Sequence, residues 1–461
     1  MSHRCTRRRL LALTAVAAVA WPSRRLVAAA QYGPVRAGKA LPMQTVVLDA
    51  KVRFVPRALV RPLILSTGKI TQITEAVADV TVRVEGREAG GRGAIYLSDL
   101  WAWPDPHLTH EHRDAQLREL TQTIAATLAD CCGGEAAHPL ELGLRLHDSV
   151  CRETAPPLLA RAMCASPFDA AIHDAVGKAL GRSAFDFYRD PAPVPSADPY
   201  FAGRSACGAI ARLIRPPQRE LRCWYLVGKD DDMERDVGPW IRDRGYRCFK
   251  IKILGRDTAA DVARTVQVYR EVRRMGVGAP QLTVDTNEAN PDAASVGDYL
   301  ARLKAADAGA FGALLYFEQP TGRDITAHRY DWRPVTQLKP VMLDEGLTGL
   351  GLMREAADQG WSGFALKTCK GHSFALTAAA WARERGLLLS LQDLTNPGLA
   401  MIHAAYFAAH VPTLNDVELN SPQFTPEANA AWLPRLAGLF DPRGGVHRLP
   451  ERPLVGLGSD L

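Results

Sequence analysis

Three carboxylates stand at equivalent places in the sequence, each at the end of a short apolar run. They are Asp285, Glu318 and Asp344. A single acid at such a position is usually a helix cap or a surface group. Three in succession, with no Cys or His set at metal-ligand spacing, offer hard oxygen donors that suit Mg²⁺. Because three carboxylates without a cation would repel one another, the pattern predicts a metal site.

Two lysine-bearing runs flank these carboxylates in the sequence. Lys250 and Lys252 alternate with apolar residues, which places both side chains on one face of a strand, and Lys367 ends a later run. We expect the two neighbouring ammonium groups to disfavour each other's charge and to lower a lysine pKa toward that of a usable base. With a substrate carboxylate on Mg²⁺, the metal would stabilise an enediolate while Lys252 and Lys367 remove and return the α-proton.

Eight short apolar runs must position these side chains. They are residues 223–227, 248–253, 282–285, 314–318, 341–344, 364–367, 387–391 and 417–419. From Lys252 to Glu418 the charged residues at their ends lie 23 to 33 positions apart, enough for a strand, a helix and two loops. This repetition predicts an α/β fold, a (β/α)8 barrel with its active site at the C-terminal strand ends. An open doubly wound sheet is the alternative, but no G-x-G-x-x-G follows a first strand.

The ring of eight strands also predicts how the chemical groups face one another. Strands 2 and 6 lie opposite each other in such a ring, and they carry Lys252 and Lys367. Strands 3, 4 and 5, which carry the three carboxylates, lie between them. We therefore expect the two lysines on opposite sides of the metal.

The residues before the barrel change from a strand pattern to a helix pattern. Residues 44–100 contain β-branched runs that end at turn signals, residues 85–86 and 89–91. Between residues 112 and 188 apolar residues recur with a period near that of an α-helix. This order predicts an α+β capping domain at residues 44–190, completed by residues 425–461, and a catalytic barrel at residues 191–424.

The first thirty residues carry the entire net charge of the chain. The 461 residues include 56 Lys or Arg and 50 Asp or Glu, a net charge of +6, and residues 1–30 contain six arginines and no acid. A basic stretch with Arg7, Arg8 and Arg9 precedes an apolar run that is too short to span a bilayer. We predict a twin-arginine export signal at residues 1–30 and a periplasmic or secreted protein. A membrane anchor or a disordered basic tail is the alternative.

The rest of the chain is electrically balanced. From Gln31 onward 50 basic residues face 50 acidic ones, so we expect no nucleic-acid partner. No other segment is long and apolar enough to span a bilayer, so we expect no stable membrane association after cleavage. The nine cysteines include no C-x-x-C pattern, and we expect most of them to be small buried residues.

Five motifs, in this order, resemble the enolase superfamily and within it the muconate lactonizing enzyme-like subgroup. They are Phe249-Lys250-Ile251-Lys252, Val284-Asp285-Thr286-Asn287, Phe317-Glu318-Gln319-Pro320, Leu343-Asp344-Glu345 and Ala365-Leu366-Lys367. Residues 166–181 are similar to the helix before that family's barrel, and the resemblance spans residues 44–458. It implies a modified TIM-like barrel under a capping domain, an essential Mg²⁺ with Mn²⁺ as an alternative, a small-molecule carboxylate substrate and a homo-oligomer.

The resemblance also implies roles for individual residues. Its metal ligands would be Asp285, Glu318 and Asp344, with Lys252 and Lys367 as the acid/base pair and Lys250 as the neighbour that tunes Lys252.

Strands 7 and 8 depart from the relatives. Gln392-Asp393 stand where the mandelate racemase subgroup has a histidine, which argues against a Lys/His mechanism. Asp416 and Glu418 faintly resemble the acidic pair with which dipeptide epimerases hold an α-ammonium group, and a helix-capping acid is the alternative. The remaining candidates for groups around the metal or against the substrate are Asn287, Glu345 and Asp393.

Loops of the cap and of strand 6 complete the expectations. Residues 57–68 fall where the family's first specificity loop lies, and residues 101–104, with two tryptophans, could form an added lid. After Lys367 the chain lacks the Gly-Gly pair that relatives often have, and we expect His372 to be a loop residue.

The sequence thus predicts an isomerase, a racemase or epimerase that abstracts a proton α to a carboxylate. A dehydratase or cycloisomerase would use the same residues and stays an alternative. A non-catalytic periplasmic carboxylate-binding protein is the second alternative.

Overall fold

Three β-sheets organise the part of the chain that the structure describes. The computed structural model describes residues 43–65 and 67–461, so the predicted export signal lies outside the described residues. The sheets are an antiparallel sheet of three strands, a parallel sheet of seven strands and a two-stranded ribbon. The antiparallel sheet precedes the parallel one, and the predicted α/β fold class with an N-terminal α+β region is confirmed.

The N-terminal region begins with long strands and continues with helices. Its strands are β1 (Thr45–Leu65), β2 (Gly68–Val84) and β3 (Arg87–Tyr96). Its helices are α1 (Asp99–Ala102), α2 (His110–Ala126), α3 (Leu128–Cys131), α4 (Pro139–Cys151) and α5 (Leu158–Leu180), followed by short 3-10 turns at Ala184–Asp186 and Asp198–Phe201. Helix α5, which contains the segment at residues 166–181, packs against β3 and β2.

Glycines decide two features of this sheet. The predicted turn at Glu85-Gly86 is confirmed, since both residues have positive φ and join β2 to β3. The predicted turn at residues 89–91 is wrong, because these residues lie within β3. A Cβ on Gly91 would lie 2.2 Å from the backbone nitrogen of Ala175 in α5, so this glycine allows the helix and the strand to approach closely.

The parallel sheet forms a curled half-barrel built from the predicted runs. Its strands are β5 (Trp224–Val227), β6 (Cys248–Lys252), β7 (Gln281–Asp285), β8 (Leu314–Glu318), β9 (Val341–Leu343), β10 (Gly363–Lys367) and β11 (Leu388–Gln392), adjacent in chain order. They are almost entirely buried, as expected for strands covered on both faces.

Helices follow each of these strands. They are α7 (Gly238–Arg242) after a π-helical turn at Met233–Val237, α8 (Thr258–Arg274), α9 (Ala293–Ala306), α10 (Ala308–Ala313), α11 (Arg333–Thr336), α12 (Leu350–Gln359), α13 (His372–Glu384) and α14 (Gly398–His410). Helix α6 (Ala206–Leu213) and strand β4 (Glu220–Arg222) precede the sheet.

The eighth predicted strand is reduced to a single bridge. Residues 417–419 pair with β11 only through Glu418, whose backbone N–H donates to Leu391 and whose carbonyl accepts from Asp393. On the side of β5, a side chain makes the hydrogen bonds that a neighbouring strand would make. The Gln423 amide accepts from the backbone N–H of Leu226 in β5 and donates to its carbonyl. The side-chain amide of Gln423 thus bonds to β5 where an eighth strand would.

The C-terminal segment contacts the cap helix α5. It contains α15 (Ser421–Phe424), a 3-10 turn at Pro426–Asn429, α16 (Leu433–Phe440) and β12 (Val446–Arg448), which pairs with β4. Beyond β12, the backbone N–H of Leu457 donates to Asp174 of α5. The predicted domain boundaries at residues 190 and 425 stay a prediction.

All eight cysteines of the described residues are free thiols, and six of them are buried. Their role as small buried residues agrees with the expectation. In residues 43–65 and 67–461, no helix is long and apolar enough to cross a membrane.

Candidate active site

The predicted lysines and carboxylates lie together at the C-terminal ends of neighbouring strands. The parallel register pairs Lys252 with Asp285 and Asp285 with Glu318 across β6, β7 and β8. Asp344 directly follows β9, and Lys367 ends β10. All five side chains are buried, and the two carboxylates of Glu318 and Asp344 are fully so.

On one side of the site, two lysines share the carboxylate of Asp285. Lys252 Nζ donates to Asp285 Oδ2 at 2.5 Å and to Asn287 Oδ1 at 2.7 Å. Lys250 Nζ lies 2.8 Å from Glu318 Oε1, 3.1 Å from Asp285 Oδ2 and 3.4 Å from Glu418 Oε2. The two lysines therefore hold Asp285 and Glu318 in place by charge-assisted hydrogen bonds.

The charges around Lys250 reverse the pKa shift that the sequence suggested. Burial by itself would lower the pKa of Lys250, but the nearby Glu318, Glu418 and Asp285 carboxylates raise the pKa well above its ordinary value. The expected mutual depression by Lys252 is therefore outweighed at Lys250, which stays charged. Its ammonium also helps to lower the pKa of Asp285, against the effect of burial.

On the other side, Asp344 is held by Lys367 and by a lysine that the sequence did not indicate. Lys367 Nζ donates to Asp344 Oδ2, and Lys370 Nζ donates to Asp344 Oδ1 at 3.1 Å and to the Asp344 carbonyl at 2.5 Å. Burial alone would raise the pKa of Asp344, but these two ammonium groups lower the pKa to about 2. Burial by itself would lower the pKa of Lys367, and the Asp344 and Glu318 charges raise the pKa above its ordinary value instead.

The buried side chains of the site carry more acids than bases. Its six carboxylates are Asp285, Glu318, Asp344, Glu345, Asp393 and Glu418, and its four ammonium groups are Lys250, Lys252, Lys367 and Lys370. Burial raises the pKa of Glu318 to about 8, that of Glu345 to about 7 and that of Asp393 to about 8. Oε2 of Glu345 and Oδ2 of Asp393 have no hydrogen-bond donor among the described residues.

This donor set fits a divalent cation by its chemistry. Burial and neighbouring carboxylates raise the pKa of Glu318, Glu345 and Asp393, and a divalent cation would supply the positive charge that offsets both effects. Each of the three predicted ligands pairs with a lysine in this structure: Asp285 with Lys252, Glu318 with Lys250 and Asp344 with Lys367. Among the described residues, no three Asp, Glu, His or Cys side chains lie close enough together to hold a metal ion. The metal-ligand assignment of these three residues stays a prediction.

The remaining predicted residues separate into two groups. Asn287 lies in the site with positive φ, and its Nδ2 donates to Glu345 Oε1 at 3.1 Å. Glu418 faces Lys250, whereas Asp393 lies beside the cavity and accepts from the backbone N–H of Thr395. The acidic pair predicted on strand 8 is divided, because Asp416 turns away from the site to pair with Arg222 at 3.0 Å.

A cavity of about 50 Å³ opens between these groups and the cap. Its polar wall includes Lys250, Lys252, Asp285, Asn287, Lys367, Gln392 and Glu418. Its other wall is mostly apolar and comes from β1, β2, β3, β5 and the chain after β11, and Ser98, Thr395 and Asn420 also line the cavity. Among the described residues that line it, the cations are the three lysines just named.

One of the two predicted lid tryptophans enters the site. Trp101, in helix α1, donates from its indole N–H to Glu345 Oε1 at 2.9 Å, and Lys367 Nζ lies 4.9 Å from the centre of its ring. Arg323, paired with Glu288, donates to the carbonyls of Trp101 and Ala102. The cap thus supplies a side chain that touches two groups of the barrel site.

The C-terminal half of the chain matches a family model. Residues 232–461 match the family described as enolase C-terminal domain-like. The chain belongs to the enolase superfamily. Among proteins with curated annotation, none matches this chain in sequence.

Solved structures of this superfamily share the fold. An enolase from Bradyrhizobium, complexed with magnesium and mandelic acid, is 19% identical with a TM-score of 0.60, over 91% of this chain and 96% of that chain. A dipeptide epimerase from Enterococcus faecalis, complexed with Mg and L-Leu-L-Tyr, is 15% identical with a TM-score of 0.61, over 90% and 99%. An N-succinyl Arg/Lys racemase from Bacillus cereus is 18% identical with a TM-score of 0.61, over 90% and 95%.

The site contains three further polar residues that the sequence did not predict as site residues. Lys370 stands three residues beyond β10, where only its type and spacing could have indicated it. Gln392 ends β11 and donates from Nε2 to Glu318 Oε2. Gln319, from the Glu318 motif, accepts with its side-chain oxygen from the backbone N–H groups of Asp344 and Gly346 and so fixes the chain after β9.

One other expectation is corrected. His372 is not a loop residue: it is fully buried at the start of α13, and its Nδ1 lies 2.8 Å from His403 Nε2. The chain after Lys367 is taken up by a 3-10 turn at Thr368–Lys370, which leaves no long loop. The predicted specificity loop is the tip of the β1–β2 hairpin, where Arg57 pairs with Glu75 and Arg61 with Asp231.

Proposed function

We propose that this protein catalyses racemisation or epimerisation by moving a proton at the carbon α to a carboxylate. The observation that carries the proposal is the placement of Lys252 and Lys367 in one cavity, at the ends of β6 and β10, with three strands between them. Each is held by a different carboxylate, Asp285 or Asp344. Two separate proton-carrying groups can serve the two faces of one carbon.

The chain's own residues would divide the work as follows. Asp285, Glu318 and Asp344 would hold Mg²⁺, which would supply positive charge to the substrate carboxylate and so stabilise the negative charge that builds up there. Asn287 and Asp285 fix the Nζ of Lys252, and Asp344 and the face of Trp101 fix that of Lys367. One lysine takes the α-proton, and the other delivers a proton to the opposite face.

The relatives support racemisation or epimerisation as the reaction. Structures with the same fold include a dipeptide epimerase, an N-succinyl Arg/Lys racemase and a muconate lactonizing enzyme. A dehydratase or cycloisomerase would need only one of the lysines as a base, with the other as acid or electrostatic support. The two-lysine geometry therefore favours inversion over those reactions.

Hydrogen–deuterium exchange tests the proposal. The Mg²⁺-loaded protein is incubated in D2O with a library of α-proton carboxylates, and exchange and optical rotation are followed. Lys252→Ala and Lys367→Ala should each abolish racemisation, while each retains exchange of one enantiomer. Lys51→Ala is a matched control, because Lys51 is exposed on β1 and pairs with the exposed Asp49.

Other outcomes would point elsewhere. Loss of exchange in one lysine variant alone, with no racemisation by the wild type, would favour a dehydratase or cycloisomerase. Exchange that survives in both variants would refute the two-lysine mechanism. Mg²⁺-dependent carboxylate binding without exchange would favour a binding protein.

The cofactor, the cellular location and the oligomeric state are proposals of the same kind. We propose Mg²⁺ as the resident metal, with Mn²⁺ able to replace it, and chelation followed by each ion in turn tests this. We propose export through the twin-arginine signal, which cell fractionation of wild type and an Arg7→Lys, Arg8→Lys variant would check. Light scattering would test the proposed homo-oligomer.

A further inference from the structure

The apolar wall of the cavity is a hydrophobic cluster that meets the catalytic groups. Leu63, Ile70, Tyr96 and Leu226 belong to this cluster, with Leu65 and Leu394 packed against it, and all six line the cavity. The first four are at most 7% exposed. Three strands of the cap and the first barrel strand thus present aliphatic or aromatic carbon opposite Lys252 and Lys367.

The arginines of the hairpin that forms this wall are already neutralised. Arg57 forms a salt bridge of 2.8 Å with Glu75. Arg61 lies 3.3 Å from Asp231 and stacks over the rings of Tyr225 and Phe424. Neither arginine lines the cavity, and the cations among its described lining residues belong to the opposite, polar wall. A substrate group that reached the apolar wall would meet no counter-ion.

We propose that the substrate is a small monocarboxylate whose α-carbon bears an apolar group, a branched alkyl or a phenyl group, that packs against Leu63, Ile70 and Leu226. The inference rests on the proposed function, since it assumes that the carboxylate lies at the lysine end. Burying an alkyl group against this wall is favourable, whereas burying a second carboxylate there without a partner is strongly unfavourable.

A neighbouring cavity offers the competing interpretation. It shares Leu65, Lys252 and Asn287 with the first and carries two exposed cations, Lys229 and Arg256. A longer substrate with a distal anionic group would extend into that space. The two interpretations differ in the charge that the distal end of the substrate carries, and probes of matched shape can separate them.

The test compares three probes with the Mg²⁺-loaded full chain. The racemic probes are 2-hydroxy-4-methylpentanoate, malate, whose carboxymethyl group has the shape of isobutyl, and 2-hydroxyadipate. Titration calorimetry gives their Kd values and D2O exchange gives kcat/KM. We expect the isobutyl probe to have a Kd about 100-fold lower and a kcat/KM about 100-fold higher than malate, because malate would bury an unpaired carboxylate. Equal values, or a preference for malate or 2-hydroxyadipate, would overturn the inference.

Variants of the wall sharpen this test. Ile70→Ala should weaken the isobutyl probe by about tenfold and leave malate unchanged, whereas Ile70→Lys should shift the preference toward malate. Leu48→Lys is the matched control, because Leu48 is an exposed apolar residue on β1 outside the cavity lining. If Ile70→Lys fails to fold, Ile70→Ala still decides. No change in the probe ratio on Ile70→Ala would contradict the inference.

The two proposals fail in different ways. If no probe exchanges, the proposed function is wrong, yet the ratio of Kd values still decides whether the wall selects an apolar group. If charged probes exchange faster, the proposed function stands and the substrate class is wrong.

Discussion

Replacing Trp101 should expose how strongly the cap is tied to the catalytic groups. Trp101→Phe removes the indole N–H that reaches Glu345 Oε1 at 2.9 Å and weakens the aromatic face under Lys367. A hydrogen bond contributes about 1 kcal/mol with a neutral acceptor and about 1.5 to 3 kcal/mol with a charged one, and a partly desolvated cation–π contact contributes about 1 kcal/mol. Glu345 keeps the Asn287 donor but has a second oxygen without one. We expect Trp101→Phe to lower the free energy of unfolding by about 2 kcal/mol.

Urea denaturation of paired variants measures this loss. Trp101→Leu, which also removes ring volume from a buried position, should lose about 3 to 4 kcal/mol. Trp103→Phe is the matched control, because Trp103 is only half-buried and stacks edge-on against His112. It should lose less than about 1 kcal/mol. If Trp101→Phe is as stable as Trp103→Phe, the contact of the indole N–H with Glu345 contributes nothing and the reasoning is refuted.

Three further predictions use other parts of the molecule. Gly91→Ala should lower the free energy of unfolding, measured by urea denaturation, by about 3 kcal/mol, because its Cβ would meet the α5 backbone. Gly90→Ala is the control: a Cβ there meets open space, so the loss should be less than about 1 kcal/mol. Equal losses in the two variants would contradict the close approach of Gly91 to α5. Burial lowers the pKa of His447 to about 4, so its neutral form stabilises the fold above pH 6.5 and that contribution is lost as the pH falls toward 4. His447→Gln should therefore reduce the pH slope of the unfolding free energy between pH 6 and 5 by about 1.4 kcal/mol per unit, and an unchanged slope would exclude a buried neutral histidine. Mg²⁺ at about 100 times its Kd should raise the free energy of unfolding of the wild type by about 2.7 kcal/mol, measured by thermal unfolding. Asp285→Asn should abolish this stabilisation. If the variant is still stabilised by Mg²⁺, Asp285 is not a metal ligand.

The polar ends of the parallel strands could be predicted from the sequence because a local pattern determines them. An apolar run that ends in Asp285 or Glu318 becomes a buried strand, and parallel strands carry their C-terminal residues to one edge of the sheet. The order of strands along the chain is also their order in the sheet. Where chain order and spatial order agree, spacing alone places the side chains.

The contacts that the sequence did not predict join distant parts of the chain. Trp101 reaches Glu345 across 244 residues, and no local pattern indicates that partner. Gly91 looks like a turn residue, yet its contact is the backbone of a helix that begins more than sixty positions later. The strand pattern at residues 417–419 is genuine, but Gln423 bonds to the backbone of Leu226 and leaves no place for a second ladder. In each case tertiary contact overrides the local signal.

The division between Asp416 and Glu418 shows how a single backbone feature decides whether an acid takes part in the chemistry. Period two would place both side chains on one face of a strand. Asp416 has a φ of 56°, so the strand geometry does not begin until after it, and its carboxylate pairs with Arg222, which ends β4 just before the parallel sheet. Glu418 is left as the acid that faces Lys250 and the cavity. An acidic pair for an α-ammonium group is therefore reduced to one carboxylate that Lys250 already neutralises in part, which agrees better with a substrate that carries an apolar group and no second charge.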